Sequence, residues 1–288
     1  MADIDNSAAK TAQLTFDETS RFIDTPKWRL HYNEAGAGHP VILLHGSGAG
    51  ATGWTNFSPN IAPLSQKFRV IALDVPGWGL SGTNDPTVNP MVPAGAEAVR
   101  DLMDALGLRQ AALVGNSMGG MIALKFAELY NDRLSHLVTM GSALITIPTI
   151  FSPAGMSEGM KVLLQAYRDP TPESFRKLIN VMVFDPSFAT DDLFEARSKA
   201  ALANPEHLTN FLKNFAHPGG IPVHGDALAP LSKIKTPSLF IHGRDDRVVS
   251  VENSLRLLSI VPNSRLHVFN RCGHWAQIEH AAEFNGLV

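Results

Sequence analysis

Ser117 lies in the run Gly115-Asn116-Ser117-Met118-Gly119-Gly120, directly after an apolar stretch at 111–114 and before a helix-like stretch at 121–130. An apolar run, a Gly-x-Ser-x-Gly hinge and a helix make the layout of a nucleophile elbow. The reason is steric. A serine at the tip of a strand-to-helix turn needs a strained backbone, and neighbours without side chains let that turn close. The hydroxyl is then pushed clear of the sheet, with the N–H of Met118 and the helix N-terminus facing any anion that forms beside it. A serine hydroxyl is a poor nucleophile at neutral pH, so this chemistry needs a base and a group that orients the base. Acid and then base should follow the serine, each just beyond a strand. Gly243-Arg244-Asp245-Asp246-Arg247 follows the apolar run 238–241, and Gly273-His274-Trp275 follows 265–269. Asp246 and His274 are therefore the candidate acid and base. Asp245 is a rival acid that position alone leaves open.

A second glycine-rich loop, His45-Gly46-Ser47-Gly48-Ala49-Gly50, follows the apolar run 41–44. Its backbone at Ser47 and Gly48 fits the other half of an oxyanion hole, opposite the N–H of Met118. The same glycines allow a competing reading. Gly48, Gly50 and Gly53 match a dinucleotide fingerprint, with Asp74 ending the next strand as a ribose-binding acid would. Against it, the match starts three residues past the strand, and Pro59 and Pro63 fall where a phosphate-capping helix would begin. It also leaves the serine–acid–histidine order as coincidence. No cofactor is expected.

The elements that must position these loops are legible as an alternation. Runs at 41–44, 70–73, 111–114, 137–140, 238–241 and 265–269 read as strands. Most are bare hydrophobic runs, the pattern of strands buried on both faces of a parallel sheet. Helical patterns at 94–106 and 252–260 lie between them, and 15–32 offers an antiparallel opening hairpin. The predicted fold is α/β, a mostly parallel sheet flanked by helices. From about 145 to 221 strand signals almost vanish, and helical stretches appear at 157–167, 172–183, 191–203 and 205–216. This predicts a helical lid at 145–221 inserted between core segments 1–144 and 222–288.

Composition narrows the function classes. With 44% hydrophobic residues and a formal net charge of −3, the chain reads as an ordinary soluble globular protein. Its basic residues are scattered, which argues against nucleic acid as a partner. The single cysteine, Cys272, excludes an internal disulfide framework, gives no zinc spacing and reads as a packing residue, so no metal is expected. Residues 1–20 lack the layout of an export signal, and no stretch approaches the roughly 18 apolar residues of a membrane span. The expectation is a cytoplasmic protein that does not engage membranes.

The chain resembles the α/β-hydrolases, and more narrowly the meta-cleavage-product hydrolases, which cut carbon–carbon bonds in ring-fission products of aromatic degradation. The resemblance runs from about Phe16 to the C-terminus. It is carried by the 45–50 loop with Trp54-x-Asn56, by Asp74-x-Pro76-Gly77-x-Gly79-x-Ser81 and by the serine hinge. Asn204-Pro205-Glu206-His207-Leu208, the 243–247 loop and Cys272-Gly273-His274-Trp275-Ala276-Gln277 with Glu279-His280 continue it. The Cys-Gly-His-Trp-Ala-Gln block, and Asn116 before the nucleophile, are far more selective than the elbow. Two departures stand out: Ala49 replaces a common proline, and the chain stops at Val288, before the final helix of the family usually ends.

The resemblance implies a catalytic set of Ser117, Asp246 and His274, with Asn56, Asn116, Arg197 and Trp275 lining the polar end of the substrate site. It implies a 2-hydroxy-6-oxohexa-2,4-dienoate substrate whose carboxylate is held by Arg197, and a homodimer or larger assembly. Ile147, Ile150, Phe151, Met156, Met182 and Val248 are candidates for the apolar end that selects the C6 substituent. An esterase or lactonase with the same three catalytic residues is the alternative. Ser117→Ala should lower turnover by roughly 10³-fold or more, measured as steady-state kcat; near-normal turnover would remove the serine from the mechanism.

Overall fold

Strands with no polar alternation end up in the middle of one twisted sheet, covered by helices on both faces. The computed structural model describes residues 14–143, 151, 155–216 and 228–288. In chain order the first elements are α1 (Phe16–Thr19), β1 (Ser20–Asp24), β2 (Arg29–Ala35), β3 (Pro40–Leu44) and α2 (Gly53–Ser65). Then come β4 (Arg69–Leu73), α3 (Met91–Ala105), β5 (Ala111–Asn116), α4 (Met118–Leu129) and β6 (Leu134–Met140). Four helices follow without an intervening strand: α5 (Glu158–Arg168), α6 (Pro172–Met182), α7 (Asp191–Leu202) and α8 (Pro205–Ala216). The chain closes with α9 (Leu228–Leu231), β7 (Ser238–Gly243), α10 (Glu252–Ile260), β8 (Ser264–Phe269), α11 (Ala276–Glu279) and α12 (Ala281–Leu287).

The eight strands run in the order β1-β2-β4-β3-β5-β6-β7-β8. The opening hairpin β1–β2 and the β2–β4 pair are antiparallel, and every later pair is parallel. Alternation along each strand feeds two cores. Ile42 and Leu44 of β3 and Leu113 of β5 pack on one side, while Val41, Leu43, Ala112 and Val114 pack on the other. This is the α/β-hydrolase architecture expected from the sequence. The ends of the expected lid, near 145 and 221, fall outside the described residues, as do Ile147 and Ile150.

One expectation was wrong. The two prolines do not prevent a helix after the 45–50 loop, because α2 runs straight through Pro59 and Pro63. Thr52 caps its first turn by accepting from Thr55 N at 3.0 Å. Phe57, Asn60, Ile61 and Leu64 are buried along it. That burial outweighs prolines that cost about 3 kcal/mol each inside an isolated helix. Asp74 is nevertheless unavailable to a ribose. Its carboxylate accepts from Gly53 N (2.7 Å) and Leu80 N (3.0 Å) and contacts His31 Nδ1 at 2.7 Å, all in the interior. It ties the start of α2 to the loop after β4. Asp74→Ala strands these donors, and the loss of unfolding free energy in a urea titration should be about 3–5 kcal/mol.

Candidate active site

Ser117 sits between the end of β5 and the start of α4 with φ 53° and ψ −115°, a left-handed strain that a non-glycine residue holds only when its surroundings demand it. They do so here. Ser117 N donates to Met140 O at 2.8 Å, and a Cβ on Gly119 would lie 2.0 Å from Leu44 O, so α4 starts hard against β3. The sequence placed Gly119 and Gly120 in the hinge; they form the first helical turn instead. Met118, at the head of α4, carries one of the N–H groups that a helix start leaves without an internal partner.

The loops beyond β7 and β8 bring Asp246 and His274 together. His274 Nδ1 lies 2.7 Å from Asp246 Oδ2, with side chains 2% and 1% exposed. Asp246 Oδ1 accepts from Val248 N at 2.7 Å and Val249 N at 2.9 Å. His242 Nε2, 2.9 Å from the Val249 carbonyl, also approaches Asp246 Oδ2 at 3.3 Å. Burial pushes the Asp246 carboxyl up, but His274 and His242 together hold it well below the usual carboxylate range. A fixed anion at Nδ1 leaves Nε2 as the basic nitrogen. The fit is tight: a Cβ on Gly141 would lie 2.9 Å from the His274 ring, and Gly141 itself has φ +53°. Asp245 is occupied elsewhere, by Arg244 at 3.2 Å and Cys272 N at 3.4 Å.

Ser117 and His274 line one pocket. Among the described residues no hydrogen bond joins hydroxyl and ring; such contacts often tighten only in the complex with substrate. Ser47, Gly48, Asn56, Asn116, Arg197 and Trp275 line the same pocket, as does Met182. Phe151, Met156 and Val248, also proposed for the apolar end, do not. Phe151 is 87% exposed and Met156 is exposed, while Val248 is buried beside Gly159 of α5. Leu163, Phe175, Leu178 and Ile179 form that wall instead. All four lie on the inward stripes of α5 and α6, a helical spacing visible in the sequence.

Arg197 carries the site's least compensated charge. It is 6% exposed on α7 while its neighbours Glu195 and Lys199 face solvent. Nη1 donates to Gly50 O at 3.2 Å, and the guanidinium lies 5.9 Å from the Trp275 ring. Nε has no partner, and among the described residues no carboxylate pairs with it. Burial pulls its pKa down to about 10, so it stays charged at neutral pH. Asn116 Oδ1 is likewise buried without a partner, while its amide donates to His274 O at 3.3 Å.

Several residues that sequence reasoning gave no role hold this arrangement. Gln277 Nε2 donates to Asn56 Oδ1 at 3.3 Å. Glu279 accepts from Gly273 N (2.7 Å), Phe184 N (2.7 Å) and Asp185 N (3.2 Å). His274 N donates to Met182 O at 2.6 Å, and Arg247 donates to Asn180 O and Val183 O. The end of α6 is thereby fastened to both catalytic loops. If His274 depends on Asp246 for its orientation, Asp246→Asn should lower kcat by about 10³–10⁴-fold. Asp245→Asn, which loses a partly exposed pair, should change it by less than about threefold.

Residues 39–281 match the family model described as alpha/beta hydrolase fold. A 2-hydroxy-6-oxononadienedioate/2-hydroxy-6-oxononatrienedioate hydrolase of Burkholderia vietnamiensis is 44% identical over 281 residues, 95% of this chain and 96% of that protein. Among solved structures, the meta-cleavage product hydrolase of Pseudomonas fluorescens IP01, a serine-to-alanine mutant complexed with acetates, superposes with a TM-score of 0.83. It is 32% identical and covers 94% of this chain and 96% of its own. The 2-hydroxy-6-oxo-6-phenylhexa-2,4-dienoate hydrolase of a Rhodococcus strain gives a TM-score of 0.81 at 29% identity, covering 93% and 98%. Sequence similarity and fold agree over nearly the whole chain, which belongs to the alpha/beta hydrolase family and, within it, to the meta-cleavage product hydrolases.

Proposed function

We propose that this chain hydrolyses the C5–C6 bond of a 2-hydroxy-6-oxohexa-2,4-dienoate, giving 2-hydroxypenta-2,4-dienoate and a carboxylic acid. One observation carries the reading beyond the family: Arg197 is a buried cation without an anionic partner among the described residues, in the same pocket as Ser117 and His274. A guanidinium so placed costs several kcal/mol unless an anion joins it, and a substrate carboxylate supplies the bidentate partner. A simple ester has no such group, so the esterase alternative leaves Arg197 unexplained.

The chemistry follows from the positions. With the carboxylate on Arg197, the 2-hydroxy group faces Asn56 and Asn116, whose free Oδ1 accepts its proton bond. His274 takes the enol proton and delivers it to C5 as the dienol ketonises to the 2,6-dioxo form. The nucleophile, Ser117 or a water activated beside it, then adds to C6. The C6 oxyanion is held by the N–H of Met118 and the Ser47–Gly48 backbone. C5–C6 cleavage sends the electron pair through C4 and C3 onto the 2-oxo oxygen, which is reprotonated, and C6 leaves as the acid. One water is consumed overall. The C6 substituent rests among Leu163, Phe175, Leu178, Ile179 and Met182.

Among the described residues no helix is long and apolar enough to cross a membrane. Cytoplasmic residence, an expectation read from the sequence, and assembly as a homodimer or larger, which the resemblance to the family implies, are part of this proposal. Arg197→Met keeps much of the buried stem but removes the cation. It should raise KM for a dienoate by about 10- to 100-fold and leave hydrolysis of a neutral aryl ester within about threefold, both followed by absorbance. An unchanged dienoate KM would contradict the assignment.

A further inference from the structure

Three successive carbonyls of the 45–50 loop are each met by a ring donor, one from the loop itself and two from elsewhere in the fold. His45 Nδ1 lies 2.8 Å from Gly46 O, Tyr167 Oη 2.7 Å from Ser47 O, and Trp78 Nε1 3.2 Å from Gly48 O. None of the three rings lines the pocket, whereas Gly46, Ser47 and Gly48 do. A trans peptide sets C=O and N–H on opposite sides. Holding these carbonyls therefore fixes the direction of the Ser47, Gly48 and Ala49 N–H groups. With no Cβ, Gly46 and Gly48 have little intrinsic preference, so the direction is set by these contacts and, at Gly48, also by the Ala51 N–H that donates to the same carbonyl at 3.0 Å.

The proton count around Tyr167 is closed. A carbonyl only accepts, so the phenol donates to Ser47 O, and His207 Nε2, 3.0 Å away, must donate to Tyr167 Oη. Burial, with His45 nearby, pushes His207 down to about 3, so the ring is neutral throughout the working range. Trp78 packs on His207 with ring centroids 4.2 Å apart, and Tyr167 stacks on Phe211 at 3.9 Å. Tyr167 belongs to α5, and His207 and Phe211 belong to α8. His45 and Trp78 belong to the loops after β3 and β4. The donor on the middle peptide thus comes from the inserted helices rather than from the sheet.

We infer that Tyr167, held by His207, is a positioning residue that orients the Ser47–Gly48 peptide, so that a working oxyanion site forms only when α5 and α8 are seated. The inference rests on the serine-hydrolase reading above. A flipped Ser47–Gly48 peptide would exchange a donor for an acceptor, and an anion would meet a carbonyl instead of an N–H. Trp78 shares the same task at the Gly48–Ala49 peptide with the Ala51 N–H.

Tyr167→Phe removes one hydroxyl and leaves the stacked ring. Its kcat should fall by about 10- to 100-fold, less than the loss of a whole oxyanion donor, with KM changed by less than about threefold. The loss should be equal for a dienoate and for an aryl ester, and constant between about pH 6 and 9 because His207 does not titrate there. Binding of phenylboronic acid, which forms a tetrahedral anion on the serine, should weaken by the same factor. Binding of hexa-2,4-dienoate, which tests only the carboxylate anchor, should not change. Should Tyr167→Phe fail to fold, Trp78→Phe should give the same split. Unchanged kcat, or boronate and dienoate affinities falling together, would overturn the inference while leaving the role of Ser117 intact. Full activity in Ser117→Ala would instead remove the reading beneath it.

Discussion

A guanidinium taken out of water with no carboxylate beside it organises this molecule. On its own helix Arg197 has no acid at the three- or four-residue spacing that would allow a surface pair, and Glu195, two residues away, faces solvent on another side. Instead the charge is turned inward, where one backbone carbonyl and the face of Trp275 are its contacts. Those contacts offset part of the desolvation and leave the rest for a ligand. Burying Arg197 packs α7 against Gly50 of the 45–50 loop, beside the pocket that Ser117 and His274 both line. The family accounts for the carbon–carbon chemistry, and on the proposed reading the buried guanidinium is where the substrate's own charge goes.

The fold holds a second Ser–His–Asp line that shows what the three side chains lack by themselves. Ser20 Oγ lies 2.8 Å from His31 Nε2, and His31 Nδ1 lies 2.7 Å from Asp74. As hydrogen bonding it is more complete than the Ser117 set. Yet Ser20 begins an ordinary strand, with backbone in the extended region, and none of the three residues lines the described pocket. Asp74 is also engaged with two backbone N–H groups of neighbouring loops. One relay stitches a hairpin to the sheet. The other combines a strained turn, a helix N-terminus and a cavity, and that combination makes reaction possible.

Residues whose role follows from local geometry were readable in the sequence. The glycine-flanked serine, the loops ending in Asp246 and His274, and the bare strands each leave a mark at short spacing. Proline was read too strictly in α2, where burial of Phe57 and Ile61 overrides a local cost. Hydrophobicity alone misplaced Phe151, Met156 and Val248, because it predicts burial without saying against what. The choice between Asp245 and Asp246 needed coordinates, since both stand in the same loop. Tyr167, Gln277 and Glu279 stayed silent for another reason. Their partners are mostly backbone atoms many residues away, such as Ser47 O for Tyr167 and Phe184 N for Glu279. No spacing encodes such contacts.

On the proposed reading the sheet presents the nucleophile, the loops beyond β7 and β8 supply the base with its orienting acid, and helices α5 to α8 supply the anchor, the apolar wall and a hold on the 45–50 loop. The most direct test of this division is a crystal structure of the Ser117→Ala variant soaked with a 2-hydroxy-6-oxohexa-2,4-dienoate. The account predicts the carboxylate bonded to both outer nitrogens or the edge of the Arg197 guanidinium, with C6 in van der Waals contact with the Cβ of residue 117. A carboxylate found in solvent or on another residue, with C6 away from residue 117 and His274, would contradict it.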